Sequence, residues 1–187
     1  MHEKSIMHRD LKLENILCED QQSTNQNSKE TSNIIVKLTD FGFATRYDPI
    51  CDEKLSPLGS PHYMAPEVIR DDVYDHKVDV WAVGIIAFIL LCGRRPFNGI
   101  KGYSSSAVYR DILESNPNYD YLLRDYSKKA RIFIKQCLQK RALLRPSAAE
   151  LLLNDWVSGQ EASSRLQIAQ ELEFSANLMA FAHTTIL

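Results

Sequence analysis

Two kinds of hydrophobic pattern divide the chain into a short part with strands and a longer helical part. Residues 16–18 and 34–39 are rich in apolar and β-branched side chains and predict the two strands of a hairpin. Between them, residues 19–33 are fifteen consecutive polar residues. Because such a stretch buries too little apolar surface to order itself, we predict an exposed loop there.

From Val68 onward the pattern is helical. Residues 75–92 are apolar almost all round, which predicts a central helix buried inside the domain. Three later helices are each opened by a serine suited to capping a helix N-terminus, and they cover residues 106–115, 127–138 and 147–154. At the start of the chain we expect the end of a helix, followed by a loop that leads into the first strand.

The last part of the sequence carries a separate amphipathic pattern. Its apolar residues recur at near-helical intervals and include Leu166, Ala169, Leu172, Ala176, Met179 and Ile186. We predict a helix over residues 161–187, with Gly159 and its polar neighbours as a hinge. The chain is thus divided into a body of residues 1–157 and a tail of residues 158–187.

Composition adds limits on partners and fold class. The chain has 187 residues, of which 44% are hydrophobic and 25% charged, enough for one domain with a sizeable core. Its formal net charge of −2 argues against nucleic acid or an anionic membrane as a partner, since both require a basic surface.

The cysteines indicate an intracellular protein. They are far apart and form no C-x-x-C pair, which disfavours a zinc site or a disulfide framework: Cys18, Cys51, Cys92 and Cys137. The most apolar run, residues 80–92, is too short to span a membrane comfortably, and no secretory signal pattern opens the chain. We expect a cytoplasmic rather than a nuclear location.

Three motifs occur in an order that carries more information than any one of them. Residues 8–15 read His-Arg-Asp-Leu-Lys-Leu-Glu-Asn, residues 40–42 read Asp-Phe-Gly, and residues 65–67 read Ala-Pro-Glu. Each shorter motif alone is often an ordinary turn. Together they resemble the catalytic half of a eukaryotic protein kinase, and the match runs from residue 2 to about residue 157. This resemblance implies a mainly α fold with a small β-hairpin, a C-terminal lobe without the β-rich N-terminal lobe.

The resemblance implies a set of catalytic and cofactor-binding residues. Asp10 is similar to the aspartate that accepts the proton of the substrate hydroxyl, and Lys12 to a lysine that contacts the transferred phosphate. Asn15 and Asp40 resemble the ligands of Mg²⁺ bound with ATP. Glu14 is grouped with these cofactor-binding residues; it could also attract a basic residue of a peptide substrate, or only cap the loop.

A lysine at position 12 resembles serine/threonine kinases rather than tyrosine kinases, and residues 59–67 agree with that comparison. They resemble the pocket for the residue after the phosphoacceptor, in which the Ser60 hydroxyl bridges Asp10 and Lys12. In kinases, an arginine directly before the catalytic aspartate, here Arg9, often accompanies control by a phosphorylated activation segment. The phosphate can pair with that arginine. Ser56 is the first candidate for the modified residue and Thr45 the second, whereas a simple turn at Ser56 is the alternative.

Other matches resemble structural positions. Glu67 and Arg145 are similar to the buried ion pair that ties the Ala-Pro-Glu segment to the late helices. Asp79 resembles the carboxylate that supports the backbone around His8 and Arg9 from the central helix. His8 is interpreted as a packed imidazole rather than a general base, because Asp10 already holds the base position.

Residues 88–97 read Phe-Ile-Leu-Leu-Cys-Gly-Arg-Arg-Pro-Phe and resemble the calcium/calmodulin-dependent and calcium-dependent kinase group. In that group a segment after the kinase domain often acts as an autoinhibitor and can bind calmodulin. The tail has Arg165 against Glu161, Glu171 and Glu173, whereas a calmodulin target is normally basic. The tail therefore favours an autoinhibitory or packing helix, with calmodulin as the less favoured partner.

The first glycine of the chain is Gly42, so no G-x-G-x-x-G loop precedes residues 8–15. The family uses that loop and a strand-borne lysine to hold ATP. The resemblance implies a kinase that acts on Ser or Thr of protein substrates, for which nearby basic residues are one option. We nevertheless expect these 187 residues alone to be inactive or very weak. The alternative is a kinase-like binding or regulatory module without catalysis.

Overall fold

Six helices and four short strands make up the described parts of the chain. A computed structural model describes residues 1–21, 33–48, 54–99 and 104–158. The helices are α1 Pro66–Ile69, α2 Lys77–Cys92, α3 Ser105–Glu114, α4 Tyr119–Leu122, α5 Lys128–Cys137 and α6 Ala148–Leu152. Single 3-10 turns lie at His2–Lys4, Leu13–Asn15, Phe41–Phe43, Pro61–Tyr63 and Ala142–Leu144. The predicted end of a helix at the start of the chain is the first of these turns.

The strands form two antiparallel pairs. Strands β2 (Ile16–Gln21) and β3 (Asn33–Leu38) are the predicted hairpin, with Ile16 opposite Leu38 and Gln21 opposite Asn33. The predicted loop over residues 19–33 is therefore wrong at both ends, because ladder hydrogen bonds join backbone groups and do not require apolar side chains. Residues 22–32 lie outside the described parts. Strands β1 (Ile6–Met7) and β4 (Thr45–Arg46) form the second pair, which is too short to show an alternating pattern.

Helix α2 is the centre of the core, as its uniform apolar pattern predicts. Trp81, Ile85 and Phe88 on this helix have no exposed surface. It begins at Lys77 rather than at residue 75, because the Asp75 carboxylate accepts a hydrogen bond from the Lys77 amide at 2.8 Å. Within the described ranges no helix, α2 included, is both long and apolar enough to cross a membrane.

A glycine allows α2 and α5 to pack closely. A Cβ atom on Gly84 would lie 2.6 Å from the Cβ of Cys137 and 2.9 Å from a methyl group of Leu138. Real Cβ atoms do not approach other carbon atoms so closely. The absence of a side chain at this position therefore sets the distance between the two helices.

Serine caps define the starts of the later helices. Ser127 caps α5 as predicted, and Ser147 forms a capping box with Glu150 at the start of α6. Helix α3 is capped by Ser104, so it starts one residue before the predicted range. Helix α6 ends at Leu152, two residues short of the prediction, and α4 has too few residues for a periodic pattern. The predicted tail helix and its hinge at Gly159 lie outside the described residues.

Candidate active site

The loop that follows β1 is fixed to the central helix by one buried carboxylate. Asp79 of α2 accepts hydrogen bonds from the backbone amides of His8 at 2.8 Å and Arg9 at 2.9 Å. It also accepts one from Nε2 of His2 at 2.8 Å. Because Asp79 is only 2% exposed, these three donors replace the water that the carboxylate loses on folding.

The loop makes a sharp turn at Arg9, which has a positive φ of 68°. The segment after residue 58 passes directly over this turn. A Cβ atom on Gly59 would lie 2.8 Å from the Arg9 carbonyl oxygen, and the φ of Gly59 is 128°. Glycine is therefore required at position 59 for the segment to come within reach of the loop.

His8 has no exposed surface and links the loop to the segment that carries Asp40. Its Nδ1 accepts from the Asp10 amide at 3.3 Å, so Nε2 carries the proton that is donated to the Thr39 carbonyl at 3.0 Å. The ring also packs against Phe41, with 4.9 Å between ring centroids. Both nitrogens of His8 are occupied by structural contacts.

Asp10 lies at the centre of the site and is 4% exposed. Its Oδ1 accepts from the Ser60 amide at 2.9 Å and from the Ser60 hydroxyl at 2.8 Å. Its Oδ2 accepts from Lys12 Nζ at 2.7 Å and more weakly from Asn15 Nδ2 at 3.4 Å. Lys12 also donates to Ser60 Oγ at 3.2 Å, so the Ser60 hydroxyl bridges the two charged groups. Four donors therefore surround a carboxylate that has about four acceptor positions.

These contacts set the charge of the site. Burial alone would raise the pKa of Asp10, but the hydrogen bonds from Lys12 and Ser60 outweigh it and hold the pKa below its ordinary value. The hydrogen bond to Asp10, and then the charges of Asp10, Glu14 and Asp40, raise the pKa of Lys12 against the opposing effect of burial. Both groups are therefore ionised at neutral pH.

Asn15 and Asp40 offer oxygen ligands suited to Mg²⁺. Asn15 Nδ2 donates to the Asp10 carbonyl at 2.9 Å, and within the described parts of the chain no donor bonds its Oδ1. Asp40 is exposed, has a positive φ of 59°, and accepts from the Gly42 amide at 3.3 Å. No three His, Cys, Asp or Glu side chains of the described residues converge on one point. Mg²⁺ in phosphoryl-transfer sites usually takes one or two protein oxygens plus phosphates and water, and an amide oxygen and a carboxylate are donor groups of that kind.

The Arg9 side chain bonds two other parts of the chain. Its Nε donates to the Phe43 carbonyl at 2.7 Å and its guanidinium donates to the Tyr74 hydroxyl at 3.2 Å. Tyr74 in turn donates to the carbonyl of Ser56 at 2.8 Å. Ser56, the first candidate for phosphorylation, is exposed, and its backbone is joined to Arg9 through Tyr74. No motif in the sequence indicates this role of Tyr74. Thr45, the second candidate, lies in β4.

Glu67 and Arg145 form a buried ion pair with two parallel hydrogen bonds, of 2.6 and 2.5 Å. The same guanidinium donates to the carbonyls of Lys77 at 2.9 Å and Gln139 at 2.7 Å. Arg145 is 1% exposed and Glu67 is 4% exposed. The pair therefore connects the start of α1 with α2 and with the segment that precedes α6.

Glu14 is exposed in the 3-10 turn that follows Lys12. After burial, its negative charge is the next cause of the raised pKa of Tyr63, and it also contributes to the raised pKa of Lys12. Glu14 is therefore close enough to Lys12 and Tyr63 for its charge to act on both. Its carboxylate faces solvent at the edge of this site.

Comparison with known proteins agrees with this geometry. The family model described as "Protein kinase domain" matches residues 1–157. Myosin light chain kinase family member 4 of Homo sapiens is 38% identical over 168 residues, covering 89% of this chain and 39% of that protein. Serine/threonine-protein kinase 33 of Bos taurus is 35% identical, covering 88% of this chain and 33% of that protein.

A third relative is calcium-dependent protein kinase 4 of Plasmodium falciparum (isolate 3D7), 33% identical over 98% of this chain and 33% of that protein. The chain thus spans between 33% and 39% of the length of these relatives. The predicted resemblance of the chain to serine/threonine kinases, including the calcium-dependent group, is confirmed. A family match over most of the chain, together with relatives that are 33% to 38% identical, shows that the chain belongs to the protein kinase family.

Proposed function

We propose that this chain carries the residues for ATP-dependent phosphoryl transfer to serine or threonine hydroxyls of protein substrates, in signal transduction. The observation that carries the proposal is the convergence of Lys12, Ser60 and Asn15 on the buried Asp10 carboxylate. Phosphoryl transfer needs little covalent chemistry from a protein, but it needs an oriented hydroxyl acceptor and compensated phosphate charge. The cluster supplies a fixed carboxylate and a fixed ammonium for these two tasks.

Asp10 orients the acceptor and takes its proton. All acceptor positions of its carboxylate are occupied, so a substrate hydroxyl has to replace one of the present donors. The Asn15 contact is the longest, at 3.4 Å, and the Ser60 hydroxyl can rotate away while its amide keeps Oδ1 in place. Because its pKa is lowered, Asp10 is a weak base, which favours proton transfer late in the reaction, once the hydroxyl has become more acidic.

Lys12 and the two magnesium-site residues supply the opposite charge. Asn15 Oδ1 and the Asp40 carboxylate would hold Mg²⁺, which when bound with ATP neutralises phosphate oxygens. Lys12, held by Asp10 at 2.7 Å, places its ammonium beside the base, and its raised pKa keeps it charged. Glu14 at the exposed edge would attract a basic side chain of the substrate.

We further propose that these 187 residues on their own transfer phosphate weakly or not at all. The sequence contains no glycine before Gly42, so the residues that cover ATP in the family are not among them. In addition, large apolar side chains of the hairpin and of the segment after it are exposed: Leu17, Val36, Leu38, Phe41 and Phe43. Exposed apolar side chains beside Asp40 are typical of a surface that packs against another domain or protein.

A transfer assay and a binding measurement test both parts. In the assay, the full 187-residue chain is incubated with Mg²⁺, labelled ATP and peptides that differ only in a Ser, Thr or Tyr acceptor. We expect little transfer, confined to Ser and Thr, and lost in Asp10→Asn and Asp40→Ala. Rapid turnover that depends on Asp40 would overturn the weak-activity proposal, and transfer to Tyr would overturn the substrate class.

The binding measurement remains informative if no transfer occurs. In NMR spectra of the chain, Mg²⁺ with ATP is expected to shift the Asn15 side-chain amide and the Gly42 backbone amide. Asp40→Asn should abolish these shifts, whereas the control Asp72→Asn, at an exposed position, should retain them. Unchanged spectra in the wild-type chain would contradict a nucleotide site at Asn15 and Asp40.

A binding module without catalysis is the second candidate. The observation that favours it is that residues 59–67 are fixed at both ends. Asp10 accepts a hydrogen bond from the Ser60 amide at one end, and Glu67 pairs with Arg145 at the other. Under this proposal, a peptide with a basic residue near its serine binds the chain equally well with and without Mg²⁺ and ATP. Binding that requires the nucleotide would contradict it.

A further inference from the structure

A surface groove of about 300 Å³ has a positively charged lining. Its walls come from the segment between α3 and α4, the start of α4, the end of α5 and the residues that follow it. Three cations, two side-chain amides and a tyrosine contribute to it: Lys135, Lys140, Arg141, Asn116, Gln139 and Tyr119. None of the described residues that line the groove is acidic, and none belongs to the Asp10 cluster or to residues 59–67. The groove is therefore a separate site, with a charge opposite to the net charge of −2 of the chain.

Arg141 is the cation of the groove that the described fold leaves unpaired. It is exposed, and its guanidinium makes no hydrogen bond or ion pair with any residue that the structure describes. A guanidinium has a planar head with five donors, which suits it to bidentate pairing with a carboxylate. A ligand of the groove therefore meets at least one cation without displacing an internal partner.

Lys140 has a structural role and one donor to spare. Its Nζ donates to the carbonyls of Leu113, at 3.2 Å, and of Ser115, and so bonds the end of α3. An ammonium group has three donors, so one remains for a ligand. Burial lowers the pKa of Lys140, and the charges of Asp111 and Glu114 oppose that shift. An anion bound beside Nζ would bring the pKa back towards its ordinary value.

Lys135 shows how the groove pairs with a carboxylate. Its Nζ lies 2.9 Å from Oδ1 of Asp120 and 5.9 Å from the centroid of the Tyr119 ring. The Asp120 side chain is 79% exposed, and the hydrogen bond from Lys135 is the main cause of its lowered pKa. Exposed ion pairs contribute little to stability, so a carboxylate of a ligand can replace Asp120 at low cost.

We propose that this groove binds an acidic segment of a partner protein, whose carboxylates pair with Lys135, Lys140 and Arg141. Charge complementarity supports this partner, because the lining has three cations and no acid among the described residues. The side-chain amides of Asn116 and Gln139 are suited to bond the peptide backbone between the carboxylates. A volume of about 300 Å³ is at the lower end of the range for ligand sites, which suits a few residues of an extended segment.

Spaced carboxylates of a peptide fit this groove better than a single phosphate. The ammonium of Lys140 is held at the carbonyls that end α3, whereas that of Lys135 is held beside Asp120 and the Tyr119 ring. The two ammonium groups thus have different neighbours, and no contact of the described residues brings them to one point. Strong phosphate recognition favours donors that converge on the same group. The inference does not depend on phosphoryl transfer.

Fluorescence anisotropy with a labelled peptide tests the proposal on the full chain without nucleotide. The peptide alternates Glu and Ser, and the control peptide has Gln in place of each Glu. We expect the Glu peptide to bind about tenfold more tightly than the Gln peptide, and about tenfold more weakly to Lys135→Gln/Arg141→Gln than to the wild-type chain. This double variant retains Lys140, which bonds α3. The control Arg124→Gln/Lys128→Gln removes the same charge at exposed positions outside the groove and should bind the peptide like the wild-type chain.

An NMR titration of the lysine side chains gives a second readout. The Glu peptide is expected to raise the pKa of Lys140, because it places negative charge beside a partly buried ammonium. If Lys140 only bonded the end of α3, the peptide would leave its titration unchanged, and that result would contradict the proposal.

Three further outcomes overturn the proposal. A wild-type chain that binds neither peptide, or both equally, would show that the groove takes no acidic segment. An equal loss of binding in Arg124→Gln/Lys128→Gln would assign the effect to the overall charge of the chain. Displacement of the peptide by inorganic phosphate at an equal concentration would assign the groove to a small anion. A thermal melt checks that each variant is folded, and if the double variant of the groove is not, Arg141→Gln alone should still weaken binding.

Discussion

At the scale of single residues, the site depends on a carboxylate that is buried and still ionised. Asp10 keeps its charge because Lys12 and Ser60 donate to both of its oxygens, which offsets the loss of water. The same contacts hold the Lys12 ammonium in one place. The hydrogen bond between Lys12 and Asp10 therefore sets both the charge of the carboxylate and the position of the ammonium, and removing either residue changes both.

Lys12→Met is expected to raise the pKa of Asp10. The variant removes the strongest donor and the nearest positive charge, and leaves burial, which favours the neutral carboxyl group. An NMR titration of the side-chain carboxyl carbon measures the change. Lys4→Met, at an exposed lysine outside the cluster, serves as the control and should leave the titration of Asp10 as it is. An unchanged titration in Lys12→Met would contradict this electrostatic assignment.

Glu67→Ala is expected to lower the free energy of unfolding by about 3–5 kcal/mol, because it leaves the Arg145 charge buried without its partner. Urea denaturation measures the loss. The double variant Glu67→Met/Arg145→Met should be less destabilised than the sum of the single changes. At the exposed pair of Arg70 and Asp72, the control Asp72→Asn should cost about 0–1 kcal/mol. If both variants lost the same free energy of unfolding, the buried pair would stabilise the chain no more than the exposed one, which would contradict the prediction.

At the scale of elements, the contact of α2 with α5 sets the shape of the core. Gly84 lets the two helices approach until Cys137 and Leu138 occupy the space that a methyl group at position 84 would need. A helix-interior glycine costs about 0.5–1 kcal/mol relative to alanine, so its presence in α2 has a packing reason.

Gly84→Ala is therefore expected to destabilise the chain, by about 1–3 kcal/mol of overpacking against a smaller gain in helix propensity. Urea denaturation again gives the value. Gly84→Ala/Cys137→Gly should recover part of the loss, since it removes the Cβ atom that is 2.6 Å from the new methyl group. A stabilised Gly84→Ala variant would show that the helices can separate without cost.

The elements also show what a sequence can predict. Uniform apolar character identified α2, and serines identified the starts of α5 and α6, because both are properties of residues close in sequence. The pairing of β1 with β4 and the extension of the hairpin into residues 19–21 depend on backbone partners that side-chain patterns do not encode. Strand ends and short helices such as α4 therefore required the structure.

The candidate site likewise contains residues that the sequence predicts and contacts that only the structure shows. The motifs gave Asp10, Lys12, Asn15 and Ser60, and the structure brings them together. The contact of His2 with Asp79 and the position of Tyr74 between Arg9 and Ser56 were not predicted. These contacts join residues far apart in sequence and involve side chains with no characteristic spacing.

At the scale of the whole molecule, three parts of the chain meet at a pair of histidines. The His2 and His76 rings are 4.9 Å apart, and Tyr47 stacks on His76 at 5.0 Å. They come from the first 3-10 turn, the segment after β4 and the start of α2. Burial lowers the pKa of His76, and the neighbouring charges modify the shift: Asp75, His2, Lys77 and Asp79.

The stability of the chain is therefore expected to fall as the pH drops below 6.5, the ordinary pKa of histidine. In that range the unfolded chain binds a proton at His76 that the folded chain does not yet bind, so unfolding is favoured until the pH reaches the lowered pKa. Urea midpoints on either side of pH 6.5 measure this. His76→Gln should reduce the pH dependence in this range; His62, whose pKa burial also lowers, remains in both proteins.

The two amides that Asp79 holds have a consequence for how this sequence can vary over time. The backbone amides of His8 and Arg9, in the loop that positions Asp10, are bonded to a side chain of the central helix. A substitution that shifts α2 changes the direction of the Asp10 carboxylate without touching any residue of the site. Apolar positions of α2 can therefore affect the Asp10 carboxylate through Asp79, although they are not themselves residues of the site.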